Sequence, residues 1–388
     1  MTEILLTIFF ISVLLFFLGS GIWVALSMIG VSAIGMMLFT SRPVGDAMAT
    51  TIWGTSSSWT LTALPLFVWM GEILFRTKLS ENLFKGLSPW MQKLPGGLIH
   101  VNIVGCALFA AISGSSAATV ATVGKMSIPE LRKRKYPEKI LLGSLAGSGT
   151  LGLLIPPSII LIIYGVAVQE SIAKLFIAGI IPGIMIALIF MTYVIIWSLI
   201  NKKIMPKILE EYSLIEKIKR SKQLLPIIIL ISAVIGSIYT GIATATEAAS
   251  LGVLGALILS YSQKSLTIET FKSSLLGATK TSCMIAFILA GSTFLSLAMG
   301  FTGLPRNLAI WIQNMELSPY VLIFVLMIFY VILGMFLDGI SAVVLTMSII
   351  EPMIRQAGFD MIWFGIFLVI VVEMAQITPP VLSLIHIS

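Results

Sequence analysis

The sequence predicts an all-α polytopic membrane protein made of two inverted-topology repeats, each with a re-entrant helical hairpin and a broken transmembrane helix. Its 388 residues are 58% hydrophobic and 11% charged, with a mean hydropathy of +1.06, which excludes an ordinary soluble domain. Polar and proline landmarks in one apolar region recur 223 positions later. Lysine and arginine concentrate in a few loops. Together these observations predict repeated spans with a defined orientation.

Apolar segments set the positions of the predicted spans. A helix needs about 20 largely apolar residues to cross a bilayer. Suitable segments occupy 4–19, 21–40, 59–77, 138–168, 172–199, 224–240, 241–261, 277–300 and 360–380. The first is predicted to be a span and not a signal peptide, because Thr2 and Glu3 precede the apolar run where a signal peptide has basic residues.

Two longer apolar segments, 97–132 and 319–355, predict hairpins that enter the membrane and turn back. Each has about 36 residues, or about 54 Å as a continuous helix, which is too long for one crossing and too short for two. Polar residues interrupt both segments, around Ser115 in the first and Asp338 in the second. Backbone N–H and C=O groups outside a helix at membrane depth need hydrogen-bond partners from the protein or from a water-filled cavity. The hairpin tips are therefore predicted to lie inside the membrane.

A matching set of landmarks relates the two hairpins and the helices after them. Ser115, Pro129, Pro156 and Pro157 recur as Asp338, Pro352, Pro379 and Pro380. An odd number of crossings between equivalent points predicts that the second copy is inverted. The predicted units are a first repeat at 1–168, a connecting helix and basic loop at 169–223, and a second repeat at 224–388. The broken helices are predicted at 138–168 and 360–380.

The basic residues predict the orientation in the membrane. Four ranges, 76–96, 132–139, 199–223 and 262–280, hold 19 of the 24 lysines and arginines. The positive-inside rule places these ranges in the cytoplasm and the N-terminus on the outer side. The first hairpin then enters from the cytoplasm and the second from outside. The basic run at 132–135 is predicted to be an anchor at the lipid bilayer, and no nucleic-acid partner is expected.

Hairpin tips and helix breaks leave backbone groups without helical partners, and such groups bind ions and small solutes in membrane transporters. Hard cations such as Na⁺ prefer several oxygen ligands. The predicted sodium and substrate ligands are Gly114, Ser115, Ser116, Gly147, Gly149 and Thr150 in the first repeat, and Asp338, Ser341 and Thr378 in the second. The predicted helix breaks are Pro156, Pro157, Pro379 and Pro380. An organic anion is expected between the two ion sites.

The two tips also have structural explanations. The small residues from Gly114 to Ser116 could pack helices closely, and Asp338 could cap the half-helix that follows it. Ion binding is the favoured interpretation, because hydroxyls coincide with a required break in the first copy. In the second copy, a carboxylate in the middle of a membrane segment is functional by default.

Other polar and small residues in the spans carry weaker expectations. Glu72, Glu247 and Glu373 are weaker candidates for a direct role, and Glu72 is expected to pair with a neighbouring subunit. Glu373 is expected to face a cavity on the cytoplasmic side. Gly143 and Gly147 form a GxxxG pattern, which predicts close approach of the hairpin.

Several other chemistries are disfavoured. Cys106 and Cys283 lie alone in apolar runs, so neither a disulfide framework nor a transition-metal site is predicted. No GxxxxGK[ST] pattern for ATP occurs. An intramembrane hydrolase would use Ser115 or Ser116 with a nearby base, but the histidines lie at a hairpin foot and near the end of the chain. No enzyme activity is expected, and no cofactor other than Na⁺ as the coupling ion.

Four stretches carry a resemblance to a known family. They are SGSSAATVATVGKMSIPEL at 113–131, GSGTLGLLIPPSIILIIYGV at 147–166, GMFLDGISA at 334–342 and EMAQITPP at 373–380. They resemble the large membrane subunit of tripartite ATP-independent periplasmic (TRAP) transporters. The resemblance runs through nearly the whole chain, including ATEAA at 245–249.

The resemblance implies a sodium-driven importer of small organic acids in the bacterial inner membrane, with an elevator-like movement of the hairpin domain. The substrate class would be a C4-dicarboxylate, a sialic acid or a similar carboxylate. It also implies two partners, a small four-helix membrane subunit and a periplasmic substrate-binding protein. A stand-alone sodium/anion symporter of the same architecture, without a binding protein, is the alternative.

Two features depart from the family pattern. Ala375 stands where the family usually has glycine. Only eight residues follow Pro380, a length of about 12 Å as helix. The second broken helix is therefore expected to be incomplete, either because the sequence is truncated or because a frame error has changed its last residues.

Overall fold

The computed structural model describes residues 3–77, 79–206, 212–303, 305, 307, 310, 318–335 and 337–378. The described part is helical and contains no β-strand. Its N-terminal α-helices are α1 (Glu3–Gly19), α2 (Val24–Phe39), α3 (Val44–Ser56), α4 (Ala63–Phe75), α5 (Leu79–Met91), α6 (Ile99–Ser113) and α7 (Ser116–Lys133). The next are α8 (Glu138–Gly149), α9 (Leu151–Leu154), α10 (Ile159–Ala167), α11 (Ile172–Ile200) and α12 (Leu214–Ser221). The last are α13 (Leu225–Tyr239), α14 (Ala245–Ser262), α15 (Ile268–Thr302), α16 (Pro319–Gly334), α17 (Gly339–Gln356) and α18 (Met361–Gln376).

Several helices have the length and apolarity of membrane spans. Ile172–Ile200, Ala245–Ser262 and Ile268–Thr302 each meet this description alone. Three bent pairs raise the total to six if each pair is one span. Two of these pairs are Val44–Ser56 with Trp59–Phe75, bent by 52°, and Glu138–Leu154 with Ile159–Ala167, bent by 40°. The described residues therefore form a polytopic membrane protein.

Helices α2, α4, α14 and α15 pack side by side as one layer of the bundle. Gly291 on α15 allows this contact, because a Cβ there would lie 2.8 Å from the carbonyl oxygen of Ala25 on α2. In the middle of α4, the Trp69 indole donates a hydrogen bond to Ser274 (3.3 Å), and just after the helix Arg76 donates to the Ser273 hydroxyl (3.0 Å). These contacts join the helices into one block.

Three helices lie where the sequence predicted none. The predicted loop at 76–96 contains α5, and the basic loop at 199–223 contains α12. Both helices are amphipathic, with one apolar and one polar face, so they do not form the continuous apolar segments from which the spans were predicted. The Trp90 indole of α5 donates to the Ser221 hydroxyl of α12 at 2.8 Å. Helix α3 was also missed, because its 13 residues are too short for a full crossing.

Each predicted hairpin segment contains two helices separated by a short turn. The first has α6 and α7, joined at Gly114 and Ser115, and the second has α16 and α17, with Met335, Leu337 and Asp338 described between them. Helix α7 begins at Ser116 and α17 begins at Gly339, a spacing of 223. The foot of the first hairpin is fixed by the Leu98 amide, which donates to the Tyr136 hydroxyl at 3.0 Å. Burial raises the pKa of that phenol.

The hairpins pack against neighbouring helices. The Tyr164 hydroxyl of α10 donates to the Met361 carbonyl at the start of α18 (2.6 Å), and Ser292 of α15 donates to the Val344 carbonyl of α17 (2.6 Å). Arg355, in the last turn of α17, donates to the Val168 carbonyl at 3.1 Å. The second hairpin is thus tied both to the first broken helix and to the layer that contains α15.

The predicted orientation can be tested by cysteine labelling. Lys203 and Ser41 are both exposed and lie in ranges predicted to face opposite sides. In a background without the exposed Cys283, we expect a membrane-impermeant thiol reagent to label Ser41→Cys in intact spheroplasts. Lys203→Cys should react only after the membrane is opened. The opposite pattern would contradict the predicted orientation.

Candidate functional site

The turn at the first hairpin tip depends on glycine and on a serine cap. Helix α6 ends at Ser113, and Gly114 has φ +59° in the left-handed region, which favours glycine. A Cβ at Gly114 would also lie 2.6 Å from the Pro157 carbonyl oxygen. Ser115 then caps α7 by accepting a hydrogen bond from the Ala118 amide at 3.4 Å. The tip therefore turns sharply while it lies directly against the broken helix.

The first broken helix is interrupted where the hairpin tip meets it. Helix α9 ends at Leu154, and residues 155–158, which include Pro156 and Pro157, are not helical. Ser158 caps α10 by accepting from the Leu161 amide at 3.3 Å. The Ile159 amide, at the start of α10, donates to the Gly114 carbonyl at 3.3 Å. The hairpin tip thus supplies a backbone partner that the broken helix lacks.

Two glycines of the broken helix allow this close contact. A Cβ at Gly152 would lie 2.6 Å from Ser116 Cα, and a Cβ at Gly149 would overlap the Val120 side chain. The expectation for the GxxxG pattern was wrong. Gly143 has nothing within 4 Å of a Cβ, and Gly147 has only ordinary contact with Phe190 of α11 at 3.7 Å. Small residues of this helix do allow close contact with the hairpin, but they are Gly149 and Gly152 and not the two glycines of the pattern.

The predicted ligands of the first copy are close together. Ser116 and Thr150 are both buried, and Ser116 Oγ lies 3.5 Å from the Thr150 carbonyl oxygen. The Thr150 hydroxyl donates to the Gly147 carbonyl at 2.7 Å. Hydroxyls and carbonyl oxygens of α7 and of the α8–α9 junction therefore meet near the hairpin tip. Oxygen groups of this kind are the ligands that alkali cations prefer.

The second hairpin tip carries a carboxylate. Asp338 caps α17 by accepting a hydrogen bond from the Ser341 amide at 3.1 Å, which is the capping role that the sequence allowed. Asp338 is exposed, whereas Ser341 is buried. At Gly339, a Cβ would lie 2.9 Å from the Val372 side chain of α18. The tip thus lies against α18, with its charge accessible.

The remaining ligands of the second copy lie at the end of α18. The Thr378 hydroxyl donates to the Met374 carbonyl of its own helix at 2.8 Å, and it is not seen in contact with Asp338 among the described hydrogen bonds. The predicted breaks Pro379 and Pro380 lie outside the described residues. Among the described residues, hydrogen-bond distances therefore join Ser116 to Thr150 in the first copy and Asp338 to Ser341 in the second.

Glu373 is the residue that sequence reasoning undervalued. It is 4% exposed, and its two carboxylate oxygens lie 3.0 and 3.1 Å from Ser116 Oγ. The expectation that it faces a cavity was wrong, because α18 packs this face against the first hairpin tip. A signal was present in the spacing, since Glu373 lies 223 positions after Thr150 and so occupies the equivalent place in the second copy.

The other two acidic candidates have local partners. Glu72, in the last turn of α4, forms an ion pair with Arg76, the residue directly after the helix. Glu247 lies in the first turn of α14 and forms a capping box with Thr244. The ion pair stabilises the end of α4, and the capping box stabilises the start of α14. Neither contact brings its glutamate to a hairpin tip. Among the described residues, no three His, Cys, Asp or Glu side chains come together as a metal-binding group.

Two cavities open at opposite ends of α4. The larger has a volume of about 970 Å³ and lies between α5, α7 and the start of α15. Two acidic side chains line it, together with five basic ones, which are Arg76, Lys85, Lys125, Arg134 and Arg220. The smaller, of about 420 Å³, lies between the end of α10, the start of α11, the residues before α4 and the start of α14. The excess of positive charge in the larger cavity suits an anionic solute.

The apolar helices, the two hairpins and the interrupted helix define the chain as a polytopic helical membrane protein. The chain belongs to the TRAP transporter large permease family. The sequence model described as "Tripartite ATP-independent periplasmic transporter, DctM component" matches residues 9–388.

Two relatives and one solved structure show the extent of the similarity. The C4-dicarboxylate TRAP transporter large permease protein DctM of Pseudomonas aeruginosa is 32% identical over 351 residues, which are 90% of this chain and 81% of the relative. The sialic acid TRAP transporter large permease protein SiaM of Vibrio cholerae is 31% identical over 366 residues, 94% and 84% of the two chains. The crystal structure of the Alcanivorax borkumensis YdaH transporter has a TM-score of 0.61, with 11% identity, and covers 94% of this chain and 88% of that one. This last likeness concerns the fold alone.

Proposed function

We propose that this chain is the large membrane subunit of a TRAP transporter that couples Na⁺ entry to import of a small organic acid. The observation that carries the proposal is the docking of the Gly114–Ser115 tip against the break at Pro156–Pro157. Such paired interruptions place unpaired backbone groups at membrane depth, where secondary transporters bind their solutes. The named substrates of the relatives, a C4-dicarboxylate and sialic acid, support a carboxylate as the substrate class.

The helix ends support an arrangement of cation and anion sites. Helix α6 ends at the tip with carbonyl groups, and its partial negative charge favours a cation. Helices α7 and α17 begin at the tips, and α10 begins at the break, each with N–H groups whose partial positive charge favours an anion. We infer that Na⁺ binds to the carbonyl and hydroxyl oxygens, and that the substrate carboxylate binds between the two tips.

The movement and the orientation are part of the proposal. We infer that the hairpins and broken helices move as an elevator against the layer formed by α2, α4, α14 and α15. The equal spacing of α7 and α17, and of α8 and α18, supports two structural repeats. We infer that the second repeat is inverted and that the chain lies in the bacterial inner membrane. With the N-terminus in the periplasm, the basic cavity would open to the cytoplasm and provide a route for a departing anion.

Two partners are inferred from family membership. A small four-helix membrane subunit would cover part of the lipid-facing surface, and a periplasmic binding protein would deliver the substrate. A stand-alone sodium/anion symporter of the same architecture is the second candidate function. The likeness to the YdaH transporter concerns the fold and does not separate the two candidates.

Reconstitution tests the proposal and separates it from the alternative. Proteoliposomes would contain this chain and the small subunit, with binding protein and a radiolabelled carboxylate outside, chosen by thermal-shift screening of the binding protein. We expect accumulation under an inward Na⁺ gradient without ATP, and loss of at least about 90% of it without the binding protein. Full uptake by this chain alone would favour the stand-alone symporter. Uptake unaffected by replacing Na⁺ with choline would contradict sodium coupling.

A further inference from the structure

One buried contact has more acceptor oxygens than donors. The two carboxylate oxygens of Glu373 lie 3.0 and 3.1 Å from Ser116 Oγ, and the Thr150 carbonyl oxygen lies 3.5 Å from the same atom. A serine hydroxyl has one hydrogen to donate. Ser116 can therefore satisfy only one of these three acceptors at a time. The arrangement is that of an oxygen cluster in which a positive charge is needed.

The three residues of this oxygen cluster are buried, which increases the cost of leaving its negative charge unneutralised. Glu373 is 4% exposed, Ser116 is 2% exposed and Thr150 is 7% exposed. A carboxylate so enclosed is costly unless it is paired, coordinates a metal ion or takes up a proton. In the described part of the chain, no lysine, arginine or histidine forms an ion pair with Glu373. A helix end alone cannot supply the missing charge, because the nearest helix start, that of α7, offers only partial charge.

The three oxygen groups come from both halves of the chain. Ser116 begins α7 of the first hairpin, and Thr150 lies between α8 and α9 of the first broken helix. Glu373 lies on α18, which occupies the equivalent place in the second half. Thr150 and Glu373 are 223 positions apart, so equivalent positions of the two copies approach the same hydroxyl. A cation bound here would hold the first hairpin tip against the second copy.

We propose that Ser116, Thr150 and Glu373 form one Na⁺ site in which Glu373 supplies the negative charge. This inference rests on the sodium coupling proposed above and goes further, since it names a charged ligand and a link between the two repeats. The Glu373 carboxylate, the Thr150 carbonyl and the lone pairs of the Ser116 hydroxyl would all bind the ion. Release of the ion would leave the carboxylate unneutralised and weaken the contact between the hairpin tip and α18.

Glu373→Gln tests this site, because it removes the charge and keeps nearly the same volume. We expect the Na⁺ concentration for half-maximal uptake to rise at least about tenfold. Ser116→Ala should raise it less, because the carboxylate and the carbonyl remain. Glu138→Gln is the matched control, since Glu138 is an exposed carboxylate that pairs with Arg132 at the surface. We expect it to leave the Na⁺ response unchanged.

A binding readout on purified protein guards against loss of folding. Binding of Na⁺ to the native state raises the unfolding temperature in NaCl over that in choline chloride. We expect Glu373→Gln to unfold in choline chloride at or above the wild-type temperature, because a buried unpaired charge is gone, but to show a smaller Na⁺-induced rise.

Wild-type Na⁺ responses in both assays would overturn the proposal. A changed pH profile with an unchanged Na⁺ response would identify a proton site and overturn it too. A wild-type protein without any Na⁺ response would overturn the proposed coupling as well.

Discussion

Gly152→Ala is expected to abolish more than about 90% of transport, although it adds a single methyl group. The Cβ would lie 2.6 Å from Ser116 Cα and 2.7 Å from the Ser115 carbonyl oxygen. These are backbone atoms of the hairpin tip, so they cannot move aside as the end of a flexible side chain would. Overpacking of this kind costs about 1–3 kcal/mol. The tip must shift away from α9 to relieve it.

Uptake in proteoliposomes and unfolding temperature in detergent would be measured together for this variant. Gly143→Ala is the matched control, because it lies on the same broken helix and a Cβ there has nothing within 4 Å. We expect it to transport normally and to be at least as stable as the wild type, since alanine is the better helix former. Wild-type uptake in Gly152→Ala would show that docking of the tip at α9 is not required for transport.

Asp338→Asn is expected to raise the Na⁺ concentration for half-maximal uptake by at least about tenfold, with a fall in uptake at low Na⁺. Asparagine caps a helix as well as aspartate does. The substitution therefore keeps the hydrogen bond from the Ser341 amide and removes only the charge. A carboxylate at a hairpin tip in the membrane is expected to act through that charge.

Asp360→Asn provides a control of the same chemistry. Asp360 caps α18 by accepting from the Trp363 amide at 2.9 Å, and it lies at the helix end away from the tips. We expect its Na⁺ response to match the wild type. If Asp338→Asn also kept the wild-type response, Asp338 would be a helix cap only, and the second ion site would have to lie elsewhere.

The sequence predicted the positions of the hairpin turns because polar residues in an apolar segment leave few alternatives. It also grouped Ser116 with Thr150 as ligands of one site, because Ser116 lies at the predicted hairpin tip and Thr150 lies just before the predicted break at Pro156 and Pro157. The contact between Ser116 and Glu373 was missed, because residues 257 positions apart meet only through packing of α18. A single sequence shows the spacing that relates the two repeats. It does not show which helix faces of the two repeats pack together.

Local patterns misled in two places for similar reasons. The GxxxG pattern marked Gly143 and Gly147, whereas the close contact uses Gly149 and Gly152, because glycine spacing does not show which face meets a neighbour. Helices α5 and α12 were read as loops, because hydropathy averaged over a window hides an amphipathic helix. Their contact through Trp90 depends on tertiary packing and was not visible in the sequence.

Direct measurement of Na⁺ binding to the purified chain tests the central claim, that the hairpin tips bind the coupling ion. A binding isotherm with radioactive ²²Na⁺ in detergent needs neither partner nor substrate. The account predicts saturable binding that unlabelled Na⁺ displaces and choline does not, with weaker affinity in Asp338→Asn and Glu373→Gln. Absence of saturable binding in the wild type, or identical isotherms for the wild type and both variants, would contradict it.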